Sequence, residues 1–144
     1  MTRYLLDTNI VSNVTKIAPS PSLIAWLGNQ NDNDLYISTM TLAEIGRGVL
    51  EKPDGKKRRE LEQWLRGSDG PANLFAGRVL PFDEKSAEVW ACLMADGTAR
   101  GRSRSALDMI IAAMAVANDC VIVTDNERDF EGLDMINPVR DRAP

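Results

Sequence analysis

The 144-residue sequence predicts an α/β fold with a mainly parallel central sheet flanked by helices. Three observations carry that reading. Short apolar runs (Leu5-Leu6, Leu35 to Ser38, Val79-Leu80 and Cys120 to Val123) alternate with longer segments of helical period. Several of these runs stop on an acid or hydroxyl residue, as in Asp7-Thr8, Asp83 and Thr124-Asp125. The composition, 44% hydrophobic and 26% charged without internal repeat or linker, is that of one globular domain, residues 1–144.

Residues 3–7, RYLLD, read as a strand ending on Asp7, with a weakly periodic segment from Ile10 to Ile17 behind it. Ser20-Pro21-Ser22 opens a helix with Leu23, Trp26 and Leu27 on one face, and Asn29 to Asp34 is turn chemistry. Leu35 to Ser38 is a second strand, and Thr39 or Thr41 starts the next helix. On its wheel Leu42, Ile45, Gly46 and Val49 share a face, while Glu44 falls opposite, beside Met40, Arg47 and Gly48. The wheel therefore favours a solvated Glu44; Gly48, one turn on, opens that face to close approach. Asp54 to Arg66 is a charged helix with Leu61, Trp64 and Leu65 as its stripe, and its Lys56 to Arg59 cluster reads as a solvated end.

Ser68-Asp69-Gly70-Pro71 breaks the pattern. Arg78 to Asp83 is a short strand, Asp83 caps a helix running from Glu84 to about Ala95, and residues 98–105 form a loop rich in Gly and Arg. Met109 to Ala117 is apolar at every position, the pattern of a helix buried all round, with Asp108 at its mouth. Cys120 to Val123 is a core strand, and Met135-Ile136 is an edge strand stopped by Pro138.

Absent residue types narrow the chemistry. The chain has no histidine, which removes Ser-His-Asp and Cys-His catalysis and histidine-bound zinc. Neither GxxxxGK[ST] nor GxGxxG occurs. Cys92 and Cys120 lack CxxC spacing and read as inert core residues. Asp7 interrupts the opening apolar run, so no signal peptide is expected, and the longest apolar runs fall short of the roughly 18 residues that span a bilayer. A cytoplasmic protein without membrane contact is the expectation.

Carboxylates must then carry any catalysis. Asp7 and Asp125 stand at the carboxyl ends of strands, where α/β sheets gather function, and Glu44 and Asp108 lie on adjacent helices. At ~4 Å and an effective dielectric near 20, two such charges repel by about 4 kcal/mol. A converging cluster must take up protons or bind a cation, and oxygen ligands alone point to Mg²⁺, with Mn²⁺ as substitute. Plainer roles stand beside these. Asp7, Thr8 or Asn9 can cap a helix, and Ser105-Ala106-Leu107-Asp108 fits a capping box, which leaves a carboxylate with oxygens free for a cation.

LLDTN at 5–9, TLAEI at 41–45 followed by Gly46 and Val49, LDMIIAAMA at 107–115 and VTDNERDF at 123–130 together resemble the PIN domain, nearest its VapC and FitB branch. The INP near the C-terminus fits as well. The resemblance spans the chain and implies a PIN-like three-layer sandwich. It further implies a Mg²⁺-dependent ribonuclease toxin of a type II toxin–antitoxin system, held inactive by a VapB- or FitA-like antitoxin. Such a toxin is expected to form a homodimer and to reach operator DNA only through that antitoxin. Carried across, Asp7, Glu44 and Asp108 match the three acids of the family's site, and the fourth position aligns with Asp125, with Asn126 and Asp129 as competitors. Thr8, Asn9 and Thr124 are expected beside the carboxylates or the substrate, and Arg102 and Arg104 at phosphates. The Arg102-Ser103-Arg104 approach to the third acid departs from the proline-containing one frequent in the family.

A receiver domain would want a lysine after its last core strand, where this chain has Thr124, and a haloacid-dehalogenase-type phosphatase wants Asp-x-Asp, where it has Asp7-Thr8-Asn9. The rival reading is a PIN-fold subunit that acts by binding its partner in a DNA-binding complex, with weak or no nuclease activity. The net charge of −4 does not oppose RNA binding if the basic residues are segregated.

Overall fold

The protein was analysed as a computed structural model, which describes residues 1–16 and 18–140. The predicted end of the second segment, Ile17, and the last four residues of the tail lie outside the described residues.

Five parallel strands form one sheet in the order β3-β2-β1-β4-β5: β1 Arg3–Leu6, β2 Leu35–Ser38, β3 Val79–Leu80, β4 Cys120–Val123 and β5 Met135–Ile136. The period-2 rule divides the core. Leu5 and its register partner Ile122 point to one face, against Met109, Ala112 and Met114 of helix α7 (Ala106–Ala117). Trp90, Leu93 and Met94 of α6 (Glu84–Ala99) pack behind it. Leu6 and its partner Val123 point to the other face. There they meet Ile10 and Val11 of α1 (Thr8–Val14), Leu23 of α2 (Pro21–Gly28) and Ile45 of α3 (Thr39–Leu50), with Trp64 and Leu65 of α4 (Lys56–Arg66) alongside. Helices therefore cover both faces, the three-layer sandwich expected.

The local departures have local causes. Strand β3 is only two residues long, because Pro81 follows it directly. Residues 71–74, Pro71–Leu74, form a short helix α5. Helix α6 continues through Asp96-Gly97 to Ala99 and stops at a Schellman motif: Gly101 adopts φ +70°, its N–H reaches Thr98 O at 3.1 Å and Arg102 N–H reaches Gly97 O at 2.8 Å. Helix α7 is not buried all round, since Val116 is exposed and Ile110 and Ala117 are half-buried. Cys120 is buried, but Cys92 is exposed on α6 and is no core residue. The basic end of α4 is solvated, with Lys56–Glu60 and Arg58–Glu62 pairs one turn apart. No helix among the described residues is long and apolar enough to cross a membrane.

A carboxylate site at the switch point of the sheet

The strand order reverses between β1 and β4, so the chain leaves these two neighbours in opposite directions and opens a crevice at their carboxyl ends. Asp7 sits there. Its N–H continues the ladder to Val123 O at 2.9 Å while its own carbonyl receives Ile10 N–H, making it the cap of α1 as well as the end of β1. The residue is only 5% exposed. Oδ1 accepts from Thr8 N–H at 2.8 Å and Oδ2 from the Thr124 hydroxyl at 2.9 Å.

Desolvation outweighs those two bonds and, with the charges of Asp108 and Glu44 adding to it, raises the Asp7 pKa to about 6. Asp108, on the first turn of α7, is also raised, first by burial, then by Asp129 and further by Glu44. Its N–H reaches the Ser105 hydroxyl at 3.3 Å, so the capping role is real and coexists with the acidic one.

Glu44 is half-buried rather than solvated. The Thr8 hydroxyl donates to its Oε1 at 2.7 Å and stands 3.0 Å from the Thr41 hydroxyl, which receives Ser38 Oγ at 3.3 Å. A chain of hydroxyls from the end of β2 thus holds Glu44 toward Asp7. The helical wheel misses this because α1 supplies the second wall. Gly48 contributes no close approach: a side chain there would meet open space.

For the fourth position, Asp129, the competitor of Asp125, is the one whose charge acts on Asp108. Asp125 is exposed. The 3-10 turn Glu127–Phe130 buries Phe130 in the core, and Asp129, one residue before it, lies near enough for its charge to raise the Asp108 pKa. Asn126 donates through Nδ2 to Asp129, and its N–H reaches the Thr124 hydroxyl at 3.0 Å. Hydrogen bonds therefore link Asp7, Thr124, Asn126 and Asp129, and the Asp129 charge acts on Asp108. The expected contact residues divide accordingly. Thr124 is fully buried and positions Asp7, so it cannot touch a substrate. Asn9 Oδ1 is buried without a partner among the described residues. Arg102 is exposed, whereas Arg104 is largely covered. Asp83 is a plain helix cap, held below the usual carboxylate range by hydrogen bonds from Ser86.

None of Asp7, Glu44, Asp108 or Asp129 has a cationic side-chain partner among the described residues. Nor do three Asp, Glu, Cys or His side chains there form a finished ligand cage. Mg²⁺ does not need one, since it is held by one or two carboxylates and keeps waters and substrate oxygens for the rest of its shell. A buried, uncompensated Asp7 among oxygen-only neighbours fits that ion.

The PIN domain family model matches residues 4–134. The chain belongs to the PIN-domain family. Within this family it falls in the VapC and FitB branch. It is 40% identical to the VapC ribonuclease Y4jK of Sinorhizobium fredii over 93% of this chain and 96% of that one. It is 36% identical to toxin FitB of Neisseria gonorrhoeae over 95% and 99%. A structure of FitAB bound to an IR36 DNA fragment superposes with a TM-score of 0.88 at 32% identity, covering 97% of this chain and 98% of that one.

Proposed function

We propose that this PIN domain, spanning the whole chain, is a Mg²⁺-dependent endoribonuclease, the toxin of a type II toxin–antitoxin pair. It would act in the cytoplasm and be silenced by a VapB- or FitA-like antitoxin, through which alone it would reach operator DNA. The observation that carries the reading is the buried Asp7 at the switch point, near the charges of Glu44 and Asp108, with no cationic side chain among the described residues paired to them. The relatives named ribonuclease and toxin support it.

Asp7 and Asp108 would hold the ion, with Glu44 and Asp129 completing its shell or orienting the attacking water. Bound Mg²⁺ would supply a more acidic water and offset charge on the phosphate. The protein's own part is orientation. Thr124 and Thr8 N–H fix the Asp7 oxygens, the Thr8–Thr41 pair fixes Glu44, and the Asn126 amide fixes Asp129. An apolar trough next to Glu44 supports the antitoxin role. Two adjoining grooves of about 360 and 460 Å³ share Val11, Thr15, Leu61 and Trp64 and run from Glu44 to Phe75, fitting an apolar antitoxin segment laid beside the site.

The test is cleavage of a panel of structured RNAs by antitoxin-free protein. Mg²⁺-dependent cleavage that is lost in Asp7→Ala and Asp108→Ala supports the reading. Absence of cleavage with tight antitoxin binding retained would replace it with the binding-subunit reading.

A further inference from the structure

Beside the acidic crevice lies a polar notch of about 280 Å³, walled by Arg102, Ser103, Arg104, Arg128, Asp129 and Glu131. It shares Asp129 with the site, so whatever enters it touches the mouth of the crevice. Three arginines line it in a chain whose net charge is −4.

They are not equivalent. The Arg104 side chain is 18% exposed: its stem packs against Gly97, Nη1 faces Met109 Sδ at 3.5 Å and Nη2 faces Asp96 at 3.8 Å. It is a strut between α6 and α7. Among the described residues the Arg102 side chain is held only by Glu131 at 3.2 Å, with both side chains 69% exposed, a pairing worth little in water and readily exchanged. Arg128 is exposed and has no ion-pair partner among the described residues. Two exchangeable guanidinium forks thus face one small polar notch, and planar forks match phosphate oxygens in pairs.

We propose that Arg102 and Arg128 together grip a backbone phosphate of single-stranded RNA flanking the one at the carboxylate site, and that Arg104 takes no part in binding. The inference rests on the nuclease reading. A strand entering an acidic crevice needs neighbouring positive charge to offset repulsion of its other phosphates, and this notch supplies it next to Asp129. Because such a contact is made equally before and during reaction, it acts on KM and leaves kcat alone.

The experiment uses the full chain, free of antitoxin, with a fluorescent single-stranded RNA oligonucleotide of mixed sequence. Binding is followed by anisotropy from low to moderate salt in Ca²⁺, and cleavage in Mg²⁺. Arg102→Ala and Arg128→Ala are each expected to weaken binding roughly tenfold and to flatten the salt dependence, by about 0.7 in all when both are replaced and that one phosphate contact is lost. Each should raise KM with kcat unchanged, while Lys85→Ala, an exposed cation on α6, leaves all three alone. Arg104→Gln, which keeps most of the stem and removes the charge, should leave the salt slope at the wild-type value. Unchanged slope and KM in the Arg102 and Arg128 variants, while wild type binds and cleaves, would overturn the notch and leave the nuclease standing. Failure of wild type to bind or cleave RNA overturns the underlying reading, and the notch with it.

Discussion

Asp7 is a carboxylic acid asked to work where a carboxylate is poorly solvated, and that leaves a signature in stability. Folded Asp7 keeps its proton up to about pH 6, whereas an unfolded aspartate releases it near 3.8. Raising the pH from 4 to 6 therefore deprotonates the unfolded chain first, and stability of the metal-free protein falls across that window by about 2 kcal/mol from this group. Denaturant titrations in EDTA at pH 4, 5, 6 and 7 should show that fall in wild type and a much shallower one in Asp7→Asn; equal slopes would mean that Asp7 is ionised at little cost. The positioning hydroxyls make a second residue-scale test. Thr124→Val removes the donor to Asp7 Oδ2 in a fully buried place and should lower cleavage by tenfold or more with the fold retained. Thr124→Ser should restore most of it. The acids Asp7 and Asp108 were legible in the sequence because each breaks a strong apolar pattern. Asp129 was harder to read: its side chain is brought in by the 3-10 turn that buries Phe130, a geometry without sequence period.

At the scale of elements, the hairpin of α6 and α7 delivers Asp108, and its tightness depends on one glycine. Asp96-Gly97 looks like a helix breaker, yet Gly97 is helical and buried, because a Cβ there would lie 2.8 Å from Arg102 O and 3.0 Å from Arg104 Cγ. The helix ends two residues later at Ala99, and Gly101 takes the left-handed turn beyond it. Gly97→Ala should destabilise the protein by about 1–3 kcal/mol through overpacking and, by shifting the 102–105 loop, lower cleavage beyond what the stability loss explains. Thermal melts alongside rates measured well below Tm separate the two effects. Gly101→Ala should cost stability, about 1 kcal/mol, with little effect on rate. Sequence periodicity located these helices within a few residues but could not show which of two glycines ends α6, since that depends on what the next loop packs against.

Across the whole molecule, the parallel order β3-β2-β1-β4-β5 places the ends of β1 and β4 side by side and lets α1, α3 and α7 each bring an acid or its hydroxyl clamp to one crevice. The α/β class followed from the alternation of runs; the meeting of Glu44 with Asp7 did not, because it needs α1 and α3 to pack through Thr8 and Thr41, a contact 33 residues apart in the chain. Convergence of uncompensated charge also sets the metal response. Mg²⁺ should raise Tm in wild type, by an amount that grows with its concentration relative to Kd and fades as the pH falls below about 6, where Asp7 is protonated. The shift should be absent in Asp7→Asn.

The central claim, that these carboxylates form a metal-dependent nuclease site, is tested most directly by one assay: cleavage of structured RNAs by antitoxin-free protein in Mg²⁺, in EDTA, and in Mg²⁺ with Asp108→Asn. The expected result is cleavage in the first condition only, with the variant slower by at least about a hundredfold. Equal cleavage in all three would contradict it.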